Sequence, residues 1–105
     1  MSDKRIVLTT AGSRDEAQKI ANALVEQQLA ACVNIVGPIE SVYRWKGAVE
    51  TASELLLIIK TTTAAFQRVQ AAIQQLHSYD LPECIELAIE NGSPEYLNWI
   101  AENVK

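Results

Sequence analysis

The residues best equipped for chemistry in this 105-residue chain gather in one short segment, His77-Ser78-Tyr79-Asp80-Leu81-Pro82-Glu83. His77 is the only histidine, and imidazole both ligates metals and exchanges protons near neutral pH. Asp80 and Glu83 add carboxylate oxygens of the kind that hold divalent cations. His77, Asp80 and Glu83 are therefore the candidate metal-binding set, and intermediate metals such as copper suit imidazole best. The same segment also admits a purely architectural reading. His77 can end a helix by donating to its last carbonyls, and Glu83 can accept from Lys60 or Tyr79 as part of a buried pair that fixes the loop.

A second set, Tyr43, Trp45, Glu54, Lys60 and Tyr79, is the candidate lining of a pocket between copies of the chain. Glu54 and Lys60 lie six positions apart, so on one strand they share a face at opposite ends. That spacing fits pocket or interface partners better than a catalytic pair. Tyr43 and Trp45 read as contacts near a hairpin tip, since aromatic residues are enriched at interfaces. Cys32 and Cys84 stand far apart with no CxxC, which argues against a zinc knuckle or a disulfide framework. Cys32 reads as a packing residue, and Cys84 as packing or a distant addition to a metal site at His77.

Conventional catalysis finds little support. The chain has no nucleophile elbow, no Walker loop, no GxGxxG and no HExxH, each of which marks a specific chemistry. It is expected not to be an enzyme, with His77 as a general base the remaining enzymatic alternative. Nine Lys and Arg against thirteen Asp and Glu give a net charge of −4. Nucleic-acid binding is not expected, because phosphate recognition needs clustered basic residues. The longest apolar run, Leu55 to Ile59, is far short of a membrane span. The opening Met1 to Leu8 is too short in its apolar part for a signal peptide. The expectation is one cytoplasmic domain, residues 1–105, with reduced thiols and no membrane partner.

Hydrophobic periodicity supplies the elements. Arg5 to Thr10 is rich in β-branched residues and reads as a strand. Ser13-Arg14-Asp15-Glu16 matches a capping box, in which Ser13 accepts from the Glu16 backbone and Glu16 reaches back. Ala17, Ile20, Ala21, Leu24 and Val25 then recur at helical spacing. Cys32 to Lys46 is a strand interrupted at Gly37-Pro38, where a bend, bulge or edge is expected. Beyond it Ile39, Ser41, Tyr43 and Trp45 share one face. Lys46-Gly47 is a tight turn into a return strand over 48–61. A second helix starts at Thr62 or Thr63 and carries Phe66, Val69, Ile73 and Leu76 on one stripe. Cys84 to Glu90 alternates as a strand, with Ile85, Leu87 and Ile89 expected inward and Glu86 outward. Ser93-Pro94-Glu95 opens a last helix.

The order β-α-β-β-α-β plus a terminal helix is the ferredoxin-like pattern, an α+β fold with helices on one face of an antiparallel sheet. The central hairpin is longer than a first helix of about four turns can cover. Its distal aromatic part would stand in water with unpaired edges, so self-association is expected. Periodicity leaves the number of copies open.

Five segments in order carry a family resemblance: Leu29-Ala30-Ala31-Cys32-Val33-Asn34-Ile35, Ser41-Val42-Tyr43-Arg44-Trp45-Lys46-Gly47, Glu54 with Leu57-Ile58-Ile59-Lys60-Thr61, His77 through Glu83, and Gly92 with Tyr96-Leu97-Asn98-Trp99-Ile100. Together they resemble the CutA family of divalent-cation tolerance proteins over essentially the whole chain. The resemblance implies a ferredoxin-like subunit in a compact homotrimer joined by strand pairing, similar to the nitrogen-regulatory signalling trimers. It also implies a link to divalent metals, copper especially. Members with a described copper site use a cysteine at the end of the first strand and two adjacent histidines before the Tyr-x-x-Pro-Glu segment. Here Thr9 matches the cysteine, Leu76 the first histidine, and His77 the second. A divalent cation, copper first, is the one cofactor this resemblance admits. A small molecule bound between subunits is the alternative.

Overall fold

The computed structural model describes residues 2–105; Met1, the start of the N-terminal run and of the expected domain, lies outside them. Strand β1 (Lys4–Ala11) leads into helix α1 (Arg14–Glu26), then into the long strands β2 (Cys32–Trp45) and β3 (Ala48–Thr62). Helix α2 (Phe66–Leu76), the short strand β4 (Ile85–Ala88) and helix α3 (Pro94–Asn103) complete the chain. The sheet order is β2-β3-β1-β4 with all pairs antiparallel. This is the ferredoxin-like α+β fold that the periodicity predicts.

Alternation along each strand decides what the helices cover. Val7 and Ala11 of β1 and Leu55, Leu57 and Ile59 of β3 meet Ile20 and Leu24 of α1 and Val69 and Ile73 of α2 in one buried cluster. Ser13 caps α1, its hydroxyl accepting from the Glu16 backbone N–H at 3.2 Å. Glu16 does not close the box. Its carboxylate turns away to His77 instead. Helix α2 starts later than expected, at Phe66, with no side-chain cap bond. Ser93 likewise makes no side-chain cap bond, although Pro94 opens α3 as the sequence suggests.

The last strand reverses one expectation. Ile85 pairs with Leu8 and Leu87 with Ile6, on the sheet face away from the core cluster. Both are about half exposed, at 50% and 48%. Glu86, expected outward, lies across from Val7 on the helix side and meets Arg5 Nε at 3.4 Å. The register of β4 on β1, which sets Ile85 and Leu87 opposite Leu8 and Ile6, fixes this face.

Two local features shape the hairpin. Lys46 and Gly47 both have positive φ, 49° and 82°, the geometry of a type I′ hairpin turn that glycine adopts without strain. At Gly37-Pro38 the register slips, from Val36 opposite Leu56 to Ile39 opposite Glu54. One extra residue in β2 is a β-bulge, and it exchanges the two faces of everything beyond it. Tyr43 therefore stands opposite Glu50, and Trp45 opposite Ala48. The pairing of β1 with β3 stops at Ala11 and Leu55. From Ile39 and Glu54 to the turn, the hairpin is a two-stranded ribbon about 20 Å long. It draws the molecule out to 44 Å in its longest dimension, against 25 and 22 Å across.

Candidate functional site: an acidic cavity walled by aromatic rings

The ribbon and the loop after α2 border a half-open cavity of about 700 Å³. The bulge makes it possible. With an unbroken register, Val42 and Arg44 would face Glu50 and Ala48, and Tyr43 and Trp45 would turn away. Instead Ser41, Tyr43 and Trp45 share the lining with Glu50 and Glu54 of β3. The loop supplies Ser78, Tyr79, Asp80 and Glu83 on the other side.

His77 anchors that loop from within. Its side chain is fully buried. In antiparallel strands alternate residues turn their backbone groups to the same edge. Lys4 O accepts from Ile89 N–H at 3.1 Å, so Thr10 O faces that same edge of β1, beyond Leu8, where β4 has already ended. His77 Nε2 takes the vacant place and donates to Thr10 O at 2.6 Å. Nδ1 accepts from the Tyr79 backbone N–H at 3.1 Å, which assigns the ring proton to Nε2. Glu16 Oε1 lies 3.3 Å from Nδ1 and has no hydrogen-bond donor among the described residues. The ring also leans on Tyr79, centroids 4.6 Å apart.

The structure sets the three residues of the expected metal set in two different surroundings. Both ring nitrogens of His77 are engaged inside the chain, while Asp80 and Glu83 face the cavity. Among the described residues, no group of three or more His, Cys, Asp or Glu is placed to hold a metal ion. Thr9, at the position matching the family cysteine, is fully buried. Cys84 packs against the core cluster. Burial raises its thiol pKa, with help from the Glu83 and Glu86 charges.

The pocket set fares differently. Tyr43, Trp45, Glu54 and Tyr79 come together at the cavity, and Lys60 does not. Lys60 sits near the far end of β3, beside Cys32 and Ile6 in register, and its ammonium is held by Asn34 Oδ1. It pairs with neither Glu83 nor Tyr79. Tyr79 donates instead to Glu54 Oε2 at 2.7 Å, and its pKa is pushed up to about 12 by burial and by that carboxylate. Glu83 is also raised, by burial and then by the charge of Glu54. Glu16 is the site residue that sequence reasoning missed. Its place in a capping-box motif supplied a sufficient local explanation and concealed the contact 61 positions away.

Comparison with known proteins places the chain. The family model described as CutA1 divalent ion tolerance protein matches residues 5–103. The divalent-cation tolerance protein CutA of Thermus thermophilus is 49% identical over 100 residues, 95% of this chain and 97% of that one. The chloroplastic protein CutA of Arabidopsis thaliana is 44% identical over 95% of this chain, which spans 55% of its length. The solved structure of a Xylella fastidiosa CutA superposes with a TM-score of 0.96 at 36% identity, covering 99% of this chain and 100% of that one. Matching in sequence and in fold from the first strand to the last helix, this chain belongs to the CutA1 family of divalent ion tolerance proteins.

Proposed function

We propose that the chain works as a cytoplasmic homotrimer in tolerance of divalent cations, copper among them, and that it acts by binding rather than by catalysis. The observation that carries the assembly is the uncovered ribbon. Val42 and Val49 are 66% and 65% exposed, and a lone two-stranded hairpin is marginal in water. Further apolar surface, at Ile85 and Leu87 on the edge strand and at Tyr96 and Trp99 of α3, also stands open. Edges and patches of this kind are removed by pairing between identical copies. A non-catalytic role is supported by His77, the one imidazole, whose nitrogens are both taken up in holding the loop.

The test is complementation of a bacterium lacking its own family member, grown on graded Cu(II). The wild-type chain restores growth, and a Trp45→Glu variant that cannot assemble does not. Growth unchanged by the wild-type chain at every copper concentration would overturn the proposal. A second reading, a trimer whose cavities bind a small molecule and signal its level, is favoured by the cavity itself. Its volume lies within the usual range for ligand sites. Metal tolerance would then follow from the signal.

A further inference from the structure

We infer that the cavity between the ribbon and the loop after α2 is a site for an organic polycation, an aliphatic polyamine, rather than for a bare metal ion. The inference rests on the second reading above, that this cavity binds a small molecule, and names the class of that molecule. The first argument is charge. Glu50, Glu54, Asp80 and Glu83 all line the cavity, and no Lys, Arg or His is among its lining residues.

The second argument is spacing. A metal ion gathers its oxygens within about 2.6 Å of one point. Glu50 and Glu54 stand four residues apart on one face of β3, so about 13 Å separates their backbones. No three acidic groups converge among the described residues. Carboxylates strung along a wall cannot neutralise one small ion, but they match ammonium groups strung along a methylene chain.

The third argument is the wall between those charges. The rings of Tyr43, Trp45 and Tyr79 line the same space, offering apolar area to methylenes and ring faces to ammonium groups. Trp45 already has the Lys46 ammonium 5.9 Å from its centroid. Finally, Glu54 is only 8% exposed. The Tyr79 hydroxyl donates to its Oε2 at 2.7 Å, which fixes the carboxylate at the cavity wall.

Isothermal titration of spermidine into the purified full-length protein tests this. Binding is expected to be saturable, with 1,8-octanediol as the uncharged control giving no heat. The Glu50→Gln/Glu83→Gln double variant, which spares the Glu54–Tyr79 bond, should bind about tenfold more weakly, the combined loss of two part-exposed charge contacts. Equal affinity in wild type and double variant would overturn the inference. So would the absence of spermidine heat from a folded wild-type protein. A melting-temperature screen with nucleotides and neutral metabolites separates the two readings. A shift there without spermidine binding overturns the polyamine and leaves the ligand site standing, whereas no shift with any compound removes both.

Discussion

Replacing His77 with alanine takes away three contacts at once, and their geometry sets the size of the effect. Thr10 O loses the Nε2 donor at 2.6 Å and the Tyr79 N–H loses its Nδ1 acceptor at 3.1 Å. An orphaned buried polar group costs about 1–3 kcal/mol, so two of them cost roughly 2–6. Loss of the ring contact with Tyr79, centroids 4.6 Å apart, adds about 0.5–1 kcal/mol. Water reaching the end of β1 offsets part of the total, and we expect a net loss of about 3 kcal/mol. Guanidinium unfolding reads this directly, with variants compared at equal protomer concentration because assembly shifts the midpoint. His77→Gln, whose amide can still donate toward Thr10 O, should recover part of the loss. In parallel, Cu(II) titration should give the same affinity for wild type and His77→Ala. A loss below 1 kcal/mol accompanied by a tenfold fall in copper affinity would refute the strut and restore the ligand.

Other consequences follow from the cavity and its hairpin. Tyr79 titrates late, its folded pKa of about 12 lying above the ordinary value of 10. The stability it contributes is present below pH 10 and is lost as pH rises toward 12. Ultraviolet phenolate titration should find one of the three tyrosines delayed, and Tyr79→Phe should remove that one; an unchanged curve would contradict the Glu54 bond. For Glu83 the carboxyl is raised in the folded state, so folding is favoured as pH falls through its folded pKa. Glu83→Gln should therefore be more stable than wild type at pH 7 and indistinguishable at pH 3 by thermal melts; a less stable variant at pH 7 would show that Glu83 is paired. Deleting Pro38 removes the extra residue of the bulge while the turn keeps Tyr43 opposite Glu50 and Trp45 opposite Ala48, so the ribbon should lose its local bend and re-aim without exchanging its faces. The expected readouts are a shift in tryptophan emission and weakened assembly by sedimentation, and an unaltered particle would contradict a role for the bulge in aiming the ribbon.

Much of the architecture was legible because it is local. Element order, the Lys46-Gly47 turn, the break at Gly37-Pro38 and the common face of Ser41, Tyr43 and Trp45 all follow from spacing over a few residues. What was not legible depends on partners far away in sequence. Alternation says that Ile85 and Leu87 share a face, but only pairing with Ile6 and Leu8 says which face. Glu16 fits a capping box, yet its carboxylate meets a histidine from the end of another helix. Lys60 and Glu54 share a face as predicted, but the length of β3 carries Lys60 out of reach of the cavity. The clustering of polar residues around His77 is real, but Thr10, Tyr79 and Glu16 are the ones that reach the ring, while Asp80 and Glu83 face the cavity.

One copy of the chain cannot shelter its own ribbon. Sedimentation velocity at submicromolar concentration, on protein purified without added metal, tests this most directly. The predicted result is a single species of three times the 11.6 kDa subunit mass, with Trp45 emission blue-shifted from its value in a dissociated variant. A folded, soluble species of one subunit mass at that concentration would contradict it.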